Sequence, residues 1–83
     1  MAKVRVRKAR DLSAALAAAR RQQRLTQTEL AERIGVGRDY VGGIESGDLG
    51  MQVTRLLQLF GELGVDIILT IPESTGETEV SGG

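Results

Sequence analysis

The stretch from Leu25 to Gly47, LTQTELAERIGVGRDYVGGIESG, leaves this chain few choices of fold. Thr26-Gln27-Thr28-Glu29 is a capping box: the Thr26 hydroxyl accepts from the amide of Glu29, and the Glu29 carboxylate accepts from the amide of Thr26. A helix therefore opens at Thr26, with Leu30, Ala31 and Ile34 on its inward face. Gly35 stops it, because the turn there asks for a left-handed backbone that glycine adopts at little cost. Val36 then plugs the core, and a second short helix runs from about Arg38 to Glu45. Val41 and Ile44 are its inward pair, which leaves Arg38, Asp39, Tyr40, Gly42 and Gly43 facing out. Helices this short are marginal in isolation, so the rest of the chain has to hold them.

The flanking segments supply that support. Lys3 to Arg7 alternates charged and β-branched residues and predicts a strand with Val4 and Val6 on one face. Asp11 is placed to cap a first helix over about residues 11–23, whose buried face is marked by Leu12, Leu16 and Ala19. Arg20, Arg21 and Arg24 sit near its C-terminal end, where cations suit the helix dipole. After a loop through Gly47, Asp48 and Gly50, a fourth helix spans about Met51 to Leu63. Val53, Leu56, Leu57, Phe60 and Leu63 form its apolar stripe, Leu59 lies off that stripe, and Gly64 is its C-cap. Apolar side chains on more than one face of this helix point to a second contact, such as a dimer mate. Asp66 to Ile71 reads as a second strand ended by Pro72, with Ile67, Leu69 and Ile71 on one side and Asp66, Ile68 and Thr70 on the other. The two strands can pair with each other or across a two-fold axis. An exposed apolar strand is an aggregation hazard, so burial of Ile67, Ile68, Leu69, Thr70 and Ile71 in a dimer is the expectation. Residues 1–72 then make one domain that carries the two-helix motif and the dimerisation surface, and residues 73–83, ESTGETEVSGG, a flexible acidic tail.

Composition narrows the chemistry. The chain has 83 residues, no Cys and no His, which removes the usual ligands for metals and the usual acid–base side chains near neutral pH. No nucleophile–base set can be assembled, so an enzyme is not expected, and neither is a metal or a cofactor. No apolar run reaches membrane-spanning length and KVRVRKAR has no signal-peptide core, which makes the cytoplasm the expected location. The net charge of zero is made of two unequal halves. Up to Arg24, eight basic residues face Asp11 alone, a net +7; from Leu25 onward three arginines oppose ten acids, a net −7. Such a split fits a basic surface for a polyanion and an acidic end for something else.

Two helices joined by a tight turn are the helix-turn-helix arrangement, in which the second helix enters the DNA major groove and reads base edges near its N-terminus. Gln27 and Thr28 open the first helix of the pair, where side chains and amides can bond phosphate. Arg38 opens the second, and its fork matches guanine O6 and N7. Asp39 is able to accept from cytosine N4, and Tyr40 to touch a thymine methyl or a phosphate.

LTQTELA, then Gly35-Val36, Val41, Ile44-Glu45 and Gly47, resembles the Cro/repressor (XRE-type) helix-turn-helix family over about 25 residues. The resemblance implies a mainly α, four-to-five-helix, lambda-repressor-like domain. Here its short N- and C-terminal strands would form a small, intersubunit sheet. It also implies an ion pair between Arg20 and Glu45, and a base-contacting place at Gly43. Three positions depart from the family's pattern: the adjacent Gly42 and Gly43 in the reading helix, Arg24 where a Gly is common, and Gly37 where Ser or Thr usually caps. The whole layout over residues 4–71 resembles the HipB-like antitoxins. That implies a homodimeric repressor that binds double-stranded operator DNA and a HipA-like serine/threonine kinase toxin. A stand-alone repressor of the same fold, and a protein-interaction module with weak DNA readout, are the alternatives.

Overall fold

A computed structural model describes residues 1–73. Six elements follow one another: β1 (Ala2–Val6), α1 (Ala9–Gln22), α2 (Gln27–Ile34), α3 (Arg38–Glu45), α4 (Gly50–Glu62) and β2 (Ile67–Ile71). The architecture is the expected one, four helices with a short strand at either end. The expected tail lies outside the described residues from residue 74 onward. No described helix is long and apolar enough to cross a membrane.

α1 is the hub, touching β1, β2, α3 and α4. It starts two residues earlier than the sequence predicts, so Asp11 lies inside its first turn and is not the N-cap. The carboxylate still does an N-terminal job. Its Oδ2 accepts from the amides of Arg7 at 2.8 Å and Lys8 at 3.0 Å. Those two bonds, the Arg7 one first, hold Asp11 below its ordinary pKa. Burial on α1 is wider than the Leu12, Leu16 and Ala19 stripe, which is half-buried: Ser13, Ala15 and Ala17 are buried outright. With neighbours on several sides, small residues let the helix axes approach closely.

β1 and β2 pair with each other, antiparallel, in one sheet: Ala2 faces Ile71, Val4 faces Leu69 and Val6 faces Ile67. Of the two pairings the sequence leaves open, the one within the chain forms: β1 and β2 meet beside α1 and bond each other's backbone. Val6 and Ile71 are buried, while Ile68 on the opposite face is half exposed. Across the pair Arg5 donates to Asp66 at 2.7 Å, and the N-terminal ammonium lies 3.2 Å from Glu73.

α4 divides its apolar residues. Leu57 is buried and Val53 and Phe60 half-buried, but Leu56 and Leu63, expected inside, are exposed together with Leu59. Leu56, Leu59 and Leu63 recur at i, i+3 and i+7, so they form one stripe that faces away from the domain. Gly64 ends the helix at φ 70°, and the Val65 amide closes back on the Phe60 carbonyl at 2.9 Å, a Schellman closure.

Candidate nucleic-acid interface

α2 and α3 form the packed pair at the C-terminal end of α1. The capping box is formed: the Glu29 amide donates to Thr26 Oγ1 at 3.0 Å and the Thr26 amide to Glu29 Oε1 at 2.8 Å. The Thr26 backbone bond and then its hydroxyl lower the Glu29 pKa. Gly35 adopts φ 78°, and the Val36 amide turns back to the Ala31 carbonyl at 3.0 Å. That reversal carries Val36 inward and leaves Ile34, expected inside, 63% exposed. Ala31 and Val41 are the buried contact between the two helices, with Ile44 half-buried beside them.

Arg20 and Glu45 lock this pair to α1. Arg20 Nε donates to Glu45 Oε2 at 2.6 Å, Nη2 to Oε1 at 3.0 Å, and Nη1 to the Leu25 carbonyl at 2.7 Å. The two side chains are only 11% and 6% exposed. Every strand of this fork is a charge-assisted bond in a nearly dry site. The Arg20 bonds lower the Glu45 pKa against the opposing effect of desolvation, and Glu45 in turn raises that of Arg20.

Gln27 joins the lock, which nothing in the sequence signals. Its Nε2 donates to Glu45 Oε1 at 2.9 Å, so its side chain crosses from α2 to the last residue of α3. Gly42 makes that crossing feasible: a Cβ built there would stand 3.3 Å from Gln27 Oε1. Gly42 and Gly43 are therefore half-buried, not outward as expected, the first beneath Gln27 and Arg38 and the second beside Asp48. Gly43 has ordinary space, its nearest neighbour to a built Cβ being Asp48 at 3.9 Å.

What remains exposed is Thr28 at the start of α2 and Arg38, Asp39 and Tyr40 at the start of α3. Asp39 is 99% exposed, and its Oδ1 lies 3.4 Å from Arg38 Nη1. Asp39 and Tyr40 both border an open groove of about 410 Å³ between α3 and α4, lined also by Ile44, Asp48, Leu49 and Val53. The basic half of the sequence is divided in space. Arg21 and Arg24 close α1 beside this surface, whereas Lys3, Arg5, Arg7, Lys8 and Arg10 lie at the other end of a 14-residue helix, about 20 Å away. Arg24 has φ 58°, a left-handed backbone that side chains seldom take.

The chain matches the helix-turn-helix family over residues 16–69, a span that runs from the middle of α1 into β2. It is similar to a protein of Sinorhizobium fredii (strain NBRC 101917 / NGR234) described as the uncharacterized HTH-type transcriptional regulator y4mF. The two are 35% identical over 68 residues, which cover 82% of this chain and 90% of that protein. No solved structure matches.

Proposed function

The chain belongs to the helix-turn-helix family of DNA-binding transcriptional regulators, and from that premise we propose that it is a repressor that grips operator DNA as a homodimer. α3 is its reading helix. The observation that carries this reading is the presentation of α3: its inner face is fixed by Val41 and the Arg20–Glu45–Gln27 lock, and its first residues stand free. The amides of Gln27 and Thr28, in the unpaired first turn of α2, take a phosphate. Arg38, Asp39 and Tyr40 reach the groove, and Gly43 lets the backbone come close.

Dimerisation is supported by the apolar stripe on α4. Leu56, Leu59 and Leu63 are 50%, 60% and 74% exposed, with Val65 and Ile68 exposed as well. Burying five such half-exposed side chains on each protomer contributes on the order of 1 kcal/mol apiece. Counted twice, that is comparable with the roughly 4–15 kcal/mol that association costs. The β2 edge not paired with β1 offers Ile67 to Ile71 for further contact between protomers. Leu59→Lys is expected to leave the helical signal intact and to convert a dimer into a monomer by sedimentation. Wild type that sediments as a monomer at tens of micromolar refutes the dimer.

Operator binding is tested by gel shift on palindromic duplexes across a salt series, where affinity falls steeply as salt rises if phosphate contacts drive it. The finer role we propose is that of antitoxin to a HipA-like serine/threonine kinase. It is supported by the resemblance of the layout from basic strand to polar tail. Its test is co-expression with the adjoining reading frame: the kinase is expected there and to copurify, and a neighbour of any other kind makes this a stand-alone repressor.

A further inference from the structure

We propose that each protomer specifies its half-site through one G·C step, with Asp39 on the N4 amine of a cytosine and Arg38 on the O6/N7 edge of a guanine in the adjacent pair. The inference rests on α3 being the major-groove helix and goes on to name the bases it selects.

The geometry leaves few side chains to do the reading. Val41, Ile44 and Glu45 face the interior, and the residue diametrically outward from them is Asp39, 99% exposed. One turn on, where a reading helix needs its next side chains, stand Gly42 and Gly43, which have none, and Gly42 is covered by Gln27 and Arg38. Tyr40, 60% exposed, lines the same open groove as Asp39, and it offers a ring and one hydroxyl where Arg38 and Asp39 offer charged forks. Charged readout therefore rests on Arg38 and Asp39.

Their chemistry then selects the bases. A carboxylate only accepts hydrogen bonds, and phosphates repel it, so at the most forward position it is useful solely against a donor. Major-groove donors are cytosine N4 and adenine N6. Adenine sets its N7 acceptor beside N6, which opposes a carboxylate, whereas the cytosine edge carries N4 without that neighbour. Arg38 only donates, and guanine alone offers two adjacent acceptors. Arg38 Nη1 lies 3.4 Å from Asp39 Oδ1, so the two heads stand side by side at the start of α3. This exposed pair contributes little to the fold. Its two members are free to exchange each other for bases.

The test is selection of bound duplexes from a randomised library by wild type, Asp39→Asn and Arg38→Ala. Both side chains are exposed, so both variants keep the fold. Wild type is expected to enrich adjacent cytosine and guanine positions in each half-site, with about 10-fold discrimination at each. Asp39→Asn is expected to change the cytosine to adenine at that position alone, since a carboxamide pairs with adenine N6 and N7. Arg38→Ala is expected to lose the guanine preference. A wild-type motif without the G·C step, or an Asp39→Asn motif identical to wild type, overturns the proposal while leaving DNA binding intact. A wild-type selection that enriches no sequence overturns this proposal and the operator reading together.

Discussion

Replacing Glu45 by Ala removes the acceptor of three hydrogen bonds at once: from Arg20 Nε at 2.6 Å, Arg20 Nη2 at 3.0 Å and Gln27 Nε2 at 2.9 Å. Arg20 keeps only the Leu25 carbonyl at 2.7 Å, and its side chain, 11% exposed, has little water to turn to. Leaving a buried charge without its partner costs about 3–5 kcal/mol. A domain of this size has a total stability of roughly 4–11 kcal/mol, so the loss is a large share of the whole. At about 4–8 °C per kcal/mol, the melting temperature should fall by roughly 12–40 °C. Thermal melts followed by circular dichroism read this directly. The double replacement Arg20→Met with Glu45→Leu should regain most of the loss, because the penalty is the orphaned charge and not a missing attraction. A fall of less than about 5 °C for Glu45→Ala refutes the reasoning.

The same carboxylate links stability to acid. Arg20 first, and Gln27 after it, lower the Glu45 pKa below its ordinary 4.5. A carboxylate lowered in the fold contributes its stability above the unfolded value and loses it as pH falls through the folded value. Wild type should therefore destabilise progressively from about pH 4.5 downward, and Glu45→Ala should show a shallower acid slope. Asp11 and Glu29 are lowered too, so they leave a residual slope of the same sign in the variant.

Further expectations concern the backbone of the motif. Gly43→Ala should stabilise by about 1 kcal/mol, the difference in helix propensity, because the new Cβ meets nothing closer than 3.9 Å; a destabilised variant in urea titration contradicts this. Gly42→Ala should gain markedly less, since its Cβ presses on Gln27 Oε1 at 3.3 Å, and a gain equal to that of Gly43→Ala shows that Gln27 is not held there. Arg24→Gly should raise stability by about 1 kcal/mol through relief of the φ 58° backbone, measured by the same titration; an unchanged midpoint means the surrounding bonds already absorb the strain.

The parts of the fold that were legible in the sequence are those fixed by neighbours along the chain. Thr26 with Glu29, Gly35 and Gly64 each act within four residues, and each forms the predicted local structure. Periodicity located the apolar positions but not the elements that cover them. Ile34, Leu56 and Leu63 have the right spacing for a core and are exposed, because among the described residues no other element packs on that side of their helices. The pairing of β1 with β2 depends on where two chain ends meet after four helices have packed, which no local pattern encodes. The sequence marks Asp11 as an N-terminal carboxylate, yet its place in the first turn depends on a helix start at Ala9 that no capping side chain announces. At the interface, Gln27 looks like any polar residue at a helix start. Its bond to Glu45, 18 residues away, runs past Gly42, where the missing Cβ leaves it room.

That room has a bearing on how the protein changes over generations. In a reading helix, new sequence preferences arise by trying different side chains at outward positions. Here a side chain at position 42 has to displace Gln27 Oε1, which lies 3.3 Å from a Cβ built there, and so acts on the joint between α2 and α3. In the proposed reading, variation falls first on the exposed positions 38, 39 and 40, while half-buried Gly43 has room for a small side chain beside Asp48.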